Sequence, residues 1–301
     1  MFLQNKGKTM KDLFGKNRLK INLHTHTTQS DGKKTPEEAA KIYKDAGYDA
    51  IAVTDHYFFT EEGSLSGLKI LSGAECDTEM CCGREGVYHI VALGCEKDPE
   101  IEKEPRLPAE TIVEKILAVG GTPVLAHPAW SLNQPETALD LSAITLTEIH
   151  NSVSDAGESS RPYSGCFADL VACLGKPMLL LATDDTHYYK GDDETKNAVM
   201  VECAEDATEK EILAAIRAGK FYATQGPEVH IAREGDEIVV RSSPVCRISL
   251  FSNVAWAEGY CLRGEGLTEH RHKITPREKF IRAEVTDAEG KVGYTNYIVL
   301  K

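Results

Sequence analysis

The sequence predicts an α/β fold with a mainly parallel sheet, followed by a small β-rich domain. Short β-rich apolar runs alternate with helical patterns from about residue 18 to residue 222, and this alternation is typical of repeated βα units. From Gly226-Pro227 onward, strand patterns continue without helices. The first part contains seven apolar runs, a number that fits either an α/β barrel or an open doubly wound sheet.

The seven predicted strands span residues 19–23, 50–53, 68–71, 88–93, 123–125, 146–149 and 177–181. Three helices are predicted on the connections around them. Thr35-Pro36-Glu37-Glu38 offers an N-cap, a proline at the first helical position and a capping-box glutamate, and Gly47 closes the segment. A second helix over residues 109–119 ends in a glycine pair. A third begins with a capping box at Thr208 and ends at Gly219.

The β-rich tail is predicted from alternation over residues 229–231, 237–241, 246–251, 281–285 and 296–300. It carries few candidate catalytic groups. The predicted organisation is therefore an N-terminal extension over residues 1–17, an α/β part over 18–226 and a small β-rich domain over 227–301.

The composition is that of an ordinary globular protein. Of 301 residues, 42% are hydrophobic and 27% are charged, which sets the chain apart from disordered, collagen-like and membrane classes. No run of about 18 apolar residues occurs, and the first twenty residues are too polar for a secretory signal. We expect a cytoplasmic protein that does not bind a membrane.

The nine cysteines predict reduced thiols and no disulfide framework. Their number is odd, they are scattered, and no CxxC pair occurs. The densest group, Cys76, Cys81 and Cys82, offers a soft-metal site as an alternative, but plain buried or loop thiols are the simpler interpretation.

The formal charge of −13 disfavours nucleic acid as a partner, because affinity for a polyanion rests largely on lysine and arginine. A small phosphorylated substrate fits this charge better. Part of the acidity is assigned to metal-binding carboxylates, which bound cations would offset locally. The sequence leaves an oligomer open.

Ionisable residues stand where the predicted strands end. In a barrel of parallel strands all carboxyl ends converge on one face, and His24 and His26 also share a strand face because the side-chain period is two. The residues at these positions are His24, His26, Asp55, His56, Glu75, His89, His127, His150, Asp185 and His187. We expect one pocket that these side chains share.

Imidazole and carboxylate groups without thiolates suit Zn, Mn, Fe or Mg. More than eight such groups exceed one tetrahedral site, so two or three divalent ions that share a bridging carboxylate are predicted. Any one of these histidines alone would more often be a structural residue. Their common position at strand ends favours the metal-site interpretation.

The ordered motifs resemble the polymerase-and-histidinol-phosphatase (PHP) superfamily of metal-dependent phosphoesterases. The resemblance spans residues 22–187 and extends to the segment Gly219-Lys220-Phe221-Tyr222. The matching motifs are His24-Thr25-His26-Thr27 with Ser30-Asp31-Gly32, Thr54-Asp55-His56, Gly73-Ala74-Glu75, His89 in YHIVALG, Ala126-His127-Pro128 and Asp185-Thr186-His187.

The resemblance implies a distorted seven-stranded (β/α) barrel with a trinuclear metal site. By similarity, one ion would use His24, His26, Glu75 and Asp185, a second Glu75, His89 and His127, and a third Asp31, His56 and His187. Glu75 would bridge two ions. The family's Asp-x-His pattern favours Asp185 over Asp184. His150 is interpreted as a structural or supporting residue, and Asp55 as a turn-orienting one.

The predicted function is hydrolysis of a phosphate ester by a metal-activated hydroxide. A small phosphomonoester such as a nucleotide or metabolite phosphate is favoured, with histidinol phosphate as a narrower case. Asp185 and His187 are predicted catalytic residues, and His187 or a metal-bound water would supply the leaving-group proton. The alternatives are a 3'-5' exonuclease or phosphodiesterase on nucleic acid and, from a different class, a non-catalytic metal-binding protein.

Arg161 is a third predicted catalytic residue, as a phosphate clamp. It lies in the polar loop 151–161 after the sixth predicted strand, and loops on that face of a barrel supply substrate contacts. A guanidinium binds two phosphate oxygens through its planar fork. The alternative is a surface arginine that is solvated or paired with Glu158.

Overall fold

The structure, a computed structural model, describes residues 10–78, 87–156 and 160–301. Within these ranges, the short 3-10 helix Val153–Asp155 accompanies the α-helices, which are α1 Pro36–Asp45, α2 Ala109–Ala118, α3 Thr137–Asp140, α4 Gly165–Cys173 and α5 Glu209–Arg217. No helix of the described part has the length and apolar character that crossing a membrane requires. Cys81, Cys82 and Glu158 lie outside the described residues.

The predicted helices are confirmed at their starts, where the local sequence specifies them. Thr35 caps α1 and Thr208 caps α5, and each forms the predicted reciprocal capping box, with Glu38 and Glu211 respectively. Pro108 precedes α2 without a side-chain cap. Helices α3 and α4 are not among the predicted elements.

The first twelve strands alternate with these helices. They are β1 Met10–Lys11, β2 Asn17–Asn22, β3 Ala50–Ala52, β4 Gly63–Leu65, β5 Leu68–Leu71, β6 Gly73–Asp77, β7 His89–Leu93, β8 Thr122–Leu125, β9 Leu146–Asn151, β10 Leu179–Thr183, β11 Ala198–Glu202 and β12 Phe221–Thr224. All seven predicted strands are present, as β2, β3, β5, β7, β8, β9 and β10. The prediction missed β1, β4, β6, β11 and β12, and β6 contains Glu75.

The chain after residue 226 forms strands only, as predicted. These are β13 Val229–Glu234, β14 Glu237–Ser252, β15 Cys261–Lys273, β16 Phe280–Thr286, β17 Val292–Tyr294 and β18 Ile298–Val299. Two predicted strands merge into β14, whereas β15 and β17 were not predicted. The division into domains at residue 226 stays a prediction.

The seven-stranded barrel is not confirmed, because the strands form two sheets that do not close. The larger sheet has the order β13-β14-β16-β17-β12-β11-β2-β3-β5-β4, and the smaller one has the order β10-β9-β8-β7-β6. Only Ser72 separates β5 from β6 in the chain, yet they belong to different sheets. Isolated bridges, Thr25 to Thr186 and His56 to Glu75, connect the sheets where a closed barrel would have ladders.

The mainly parallel sheet is confirmed only in part. Strands β2, β3 and β5 are parallel neighbours, as are β8, β9 and β10. Strands β6, β7 and β8 pair antiparallel, and β11 is antiparallel to both β2 and β12. His89 is therefore the first residue of β7, and the reversed strand direction carries it to the same end as the carboxyl ends of β2, β6 and β8.

One apolar core lies between the two sheets. Leu19 and Ile21 of the larger sheet pack with Val91 and Leu181 of the smaller one, and Ile212 of α5 belongs to the same cluster. These side chains are almost completely buried, and such burial is the main favourable contribution to folding. The core therefore fixes the two sheets against each other below the strand ends that carry the ionisable residues.

The C-terminal strands are joined to this body by pairing and by a buried ion-pair network. Strand β17 pairs with β12. Arg282 of β16 is fully buried; its Nε and Nη2 donate to Asp169 of α4 at 2.7 Å, and its Nη1 donates to Glu284 at 2.5 Å. Tyr163 donates to the same Glu284.

Candidate metal centre

Histidine and carboxylate side chains meet at one end of the two sheets. Within the described residues they form three overlapping groups whose ligand atoms lie within 4.8 Å of one another. The groups are His24, His26, Glu75 and Asp185; Glu75, His89 and His127; and His26, Asp31, His56 and His187. The structure thus brings together all the residues that were predicted as metal ligands.

The first group has the spacing of a metal coordination sphere. His24 Nε2 and His26 Nε2 lie 3.2 Å apart. Glu75 Oε2 lies 3.3 and 3.1 Å from these two nitrogens, and Asp185 Oδ1 lies 3.2 and 3.0 Å from them. Ligands about 2.1 Å from a tetrahedral ion stand about 3.4 Å apart. The four donors fit one divalent ion.

The second group uses the other oxygen of the same glutamate. Glu75 Oε1 lies 3.0 Å from His89 Nδ1 and 3.4 Å from His127 Nε2. Asp185 Oδ2 lies 3.6 Å from His127 Nε2. Because its two oxygens face different groups, Glu75 occupies the position that a bridging carboxylate requires.

The third group is more open. Asp31 Oδ1 lies 3.4 Å from His187 Nε2 and 3.6 Å from His26 Nδ1, and Asp31 Oδ2 lies 3.9 Å from His56 Nε2. The Asp31 side chain is 54% exposed, whereas that of Glu75 is 1% exposed. The Asp31 side of the centre is therefore open to solvent.

Two buried atoms of the centre, Asp185 Oδ1 and His56 Nδ1, have no hydrogen-bond partner among the residues that the structure describes. Buried polar atoms in folded proteins are normally hydrogen-bonded, and isolated buried charges are costly. A divalent cation satisfies such atoms by coordination. The donor types, their spacing and these two atoms together fit divalent metal ions.

Charge attraction inside the centre shifts the pKa values in the sense that a cation site requires. Burial lowers the pKa of His26, but the carboxylates of Asp185 and Glu75, which lie 3.0 and 3.1 Å from its Nε2, outweigh this effect and raise the pKa to about 9. Burial opposes ionisation of Glu75, yet His24, His56 and His89 hold its pKa well below the usual range. The carboxylates thus favour positive charge among them.

Glu148 is a buried residue of the centre that the sequence analysis did not assign. Its Oε1 lies 2.7 Å from His24 Nδ1, and its Oε2 accepts hydrogen bonds from the His127 amide and Asn151 Nδ2, both at 2.8 Å. A carboxylate on Nδ1 fixes the tautomer of His24, so that the Nε2 lone pair faces the other ligands. The feature of the sequence that could have indicated this role is a glutamate within the largely buried strand β9.

Two residues of the donor groups, His127 and Asp185, have positive φ angles of 26° and 53°. This backbone conformation is unfavourable for side-chain-bearing residues and persists where neighbouring contacts enforce it. The His127 amide donates to Glu148, and the Asp185 amide donates to the His24 carbonyl at 2.8 Å. Contacts within the centre therefore hold both turns.

Asp55 orients the turn before Asp31, as predicted. Its Oδ1 accepts from the Thr27 amide at 2.7 Å and from Ser30 Oγ at 2.6 Å, and its Oδ2 accepts from Thr27 Oγ1 at 2.6 Å. Gly32 closes this turn against His26, where a β-carbon would stand 2.5 Å from the His26 carbonyl group. Only glycine permits this approach.

The neighbouring carboxylates Asp184 and Asp193 have supporting positions. Asp184 accepts from Tyr43 Oη at 2.8 Å and from Ser152 Oγ at 3.0 Å, on the side away from the histidines. Asp185, not Asp184, belongs to the ligand groups. The buried Asp193, which the sequence analysis missed, accepts from the His187 amide at 2.7 Å and holds the loop that carries this histidine.

His150 and Arg161 lie outside the three groups. His150 Nδ1 and Nε2 each lie 3.2 Å from amide nitrogens of Asn197 and Gln225, and burial lowers its pKa to about 4. Arg161 is exposed, and its Nη1 is 3.5 Å from the Trp130 carbonyl oxygen. Trp130 in turn packs against His89 and His127, so Arg161 stands at the rim.

Known proteins resemble this chain. The PHP domain family model matches residues 22–104, so the resemblance that the motifs carry is confirmed over that range. No curated protein sequence matches the chain.

Solved structures are similar to the chain. One is a two-domain protein from Bacteroides vulgatus that contains a predicted PHP-like metal-dependent phosphoesterase; it is 17% identical, the match covers 99% of this chain and 100% of that chain, and the TM-score is 0.56. Another is an amidohydrolase from Chromobacterium violaceum with bound sulfate and no metal, which is 18% identical, with coverage of 57% and 89% and a TM-score of 0.42. The chain therefore has the PHP-like fold of the first of these structures, with a candidate metal site.

Proposed function

We propose that this protein is a metal-dependent hydrolase of a small phosphomonoester, such as a nucleotide or metabolite phosphate. The observation that carries the proposal is the set of three overlapping donor groups at one end of a PHP-like fold. Glu75 belongs to the first and second groups, and His26 belongs to the first and third. Zn, Mn, Fe or Mg ions, two or three in number, would supply Lewis acidity and lower the pKa of a coordinated water.

The protein side chains set the geometry of this chemistry. Glu75 directs one oxygen to each of two donor groups, and Asp185 also faces both of them. In the third group, His187 Nδ1 lies 2.7 Å from the Asp185 carbonyl oxygen, which leaves Nε2 toward Asp31. His187 therefore has one nitrogen for either metal ligation or proton donation, and the two roles exclude each other at any moment.

Arg161 is proposed as the group that positions the phosphoryl oxygens from the rim. Its place beside Trp130 and its exposure support this role, because a solvent-facing guanidinium is free to turn toward an incoming anion. A positive charge there would also offset charge on the transferred group.

The experiment is phosphate release from a panel of nucleoside monophosphates, sugar phosphates and histidinol phosphate, with a phosphodiester and a single-stranded oligonucleotide alongside. We expect turnover of a monoester, reduced strongly by His24→Asn and unaffected by His270→Asn, a histidine on β15 outside the centre. Preferential cleavage of the oligonucleotide would favour the exonuclease alternative. Metal binding without turnover of any ester would favour the non-catalytic protein.

A further inference from the structure

Trp130 is a large apolar side chain that remains 39% exposed directly beside the candidate metal centre. Its ring centroid lies 5.0 Å from that of His127 and 5.5 Å from that of His89, at interplanar angles of 80° and 81°. The indole thus stands nearly perpendicular to two proposed ligands of the second donor group. Part of its surface faces solvent at the mouth of the site.

The loop that carries Trp130 is held in place by several hydrogen bonds. The Ser131 and Asn133 amides donate back to the His127 and Pro128 carbonyls at 3.1 and 3.0 Å. The Ala129 amide donates to Ser164 Oγ at 3.1 Å. These hydrogen bonds fix the backbone that carries the indole, which favours a stable aromatic contact surface for a ligand.

A ligand that covered the exposed part of the indole would remove apolar surface from water, which is favourable. A phosphoryl group bound at the donor groups would leave its esterified alcohol at the rim, within reach of Trp130. Flat rings stack favourably on an indole whatever their hydrogen-bonding edges. A small aliphatic alcohol would cover much less of the ring.

We propose that Trp130 is a stacking platform for the leaving group and that the substrate is a phosphomonoester whose alcohol carries a flat aromatic ring, such as a nucleobase. This inference rests on the proposed phosphomonoesterase function. It makes Trp130 a residue that determines substrate specificity without ligating metal.

The first test compares adenosine 5'-monophosphate with ribose 5-phosphate, which has the same kind of ester without the ring. Trp130→Leu should lower kcat/KM for the nucleotide roughly tenfold, as loss of one stacking contact does, and leave ribose 5-phosphate and metal content within about twofold. Trp130→Phe, which keeps a ring, should retain most of the nucleotide activity. Leu132→Ala is the control, because Leu132 is exposed on the same loop.

Binding gives a second test that does not depend on turnover. The chain has two tryptophans, and the other, Trp256, is 81% exposed at the tip between β14 and β15. In a Trp256→Phe background, adenosine 5'-monophosphate should quench the emission of Trp130, and ribose 5-phosphate should not. This measurement applies even to a protein without detectable turnover.

The results of these two tests distinguish the stacking role of Trp130 from the proposed phosphomonoesterase function. Equal losses on both substrates in Trp130→Leu, or a loss of metal, would show that Trp130 only supports His89 and His127, and would overturn the platform. Equal quenching by both ligands, or none, would overturn it as well. If the parent protein hydrolyses neither ester yet the nucleotide alone quenches Trp130, the proposed function fails and the platform stands.

Discussion

Glu148 joins two parts of the candidate centre that are distant in the sequence. It contacts the ring of His24, from the first donor group, and the backbone amide of His127, from the second. Carboxylates that orient ligand histidines raise the basicity of the ligand nitrogen and lower the entropy lost on metal binding. Glu148 is thus expected to act on metal affinity through its neighbours.

Glu148→Gln should lower the affinity for the bound metal by about 10–100-fold, as loss of such partners typically does. Competition with a chromophoric chelator measures this directly. Glu278→Gln is the matched control, since Glu278 is also buried and lies 2.7 Å from a histidine nitrogen, that of His272, in the C-terminal strands. Unchanged metal affinity in Glu148→Gln would contradict a role of Glu148 in metal binding.

Arg161→Ala should leave metal content and folding intact and lower kcat/KM by about one order of magnitude or more, the usual effect of losing a charge contact to the transition state. Steady-state kinetics on the substrate found in the panel gives the result. Arg263→Ala, which removes an exposed arginine on β15, is the control. Turnover within about twofold of the parent would exclude the phosphate clamp.

At the residue scale, the sequence was sufficient to predict those site residues whose side-chain type indicates metal binding. Histidines and acids at strand ends predicted the centre, and the structure brings them together. Glu148 and Asp193 were not predicted, because the role of Glu148 depends on a hydrogen-bond partner far away in the chain and that of Asp193 on loop geometry. No local pattern encodes such a contact.

At the element scale, the turn between β2 and α1 shows how backbone geometry positions a ligand. The Gly32 amide donates to the Thr27 carbonyl at 2.9 Å, and the turn places Asp31 opposite His187. Asp55 fixes the same turn from the end of β3. The third donor group therefore depends on close packing of this turn against His26.

Gly32→Ala should disturb this turn, because the added β-carbon would stand 2.5 Å from the His26 carbonyl atoms. We expect a loss of about 1–3 kcal/mol in the free energy of unfolding, as in other overpacked sites, with lower metal occupancy by elemental analysis. Gly63→Ala is the control, because nothing lies within 4 Å of the position of its β-carbon. Normal stability and metal content in Gly32→Ala would contradict this account of the turn.

Seven of the first twelve strands were predictable from apolar runs, whereas strand direction and closure were not. Periodicity is the same for parallel and antiparallel neighbours, so the reversal of β7 and the separate strand β6 remained hidden. His89 was expected at the end of its strand and instead begins it. The predicted residues meet although the sheets do not close into a barrel, because the antiparallel arrangement brings His89 to the same end.

At the scale of the whole molecule, the buried ion pairs of Arg282 tie the C-terminal strands to helix α4. The guanidinium is fully buried and contacts Asp169 and Glu284. Removal of one partner from such a network leaves uncompensated buried charge. The network therefore couples the stability of the β-rich region to that of the body that carries the centre.

Arg282→Ala should lower the free energy of unfolding by about 3–5 kcal/mol, the typical cost of breaking a buried ion pair, and denaturant unfolding measures it. Arg241→Ala, which removes a partly exposed arginine paired with Glu234 and Glu269, should leave stability nearly unchanged. Equal effects of the two substitutions would show that the buried network does not join the regions.

The central claim is that the donor groups around Glu75 hold catalytic divalent ions, and the most direct measurement follows phosphate release together with metal content. Chelation should remove the metal and abolish turnover, and Mn or Zn should restore both, with at least two ions per chain at full activity. A Glu75→Gln protein should regain neither. Full phosphatase activity in the metal-free protein, or in Glu75→Gln, would contradict the account.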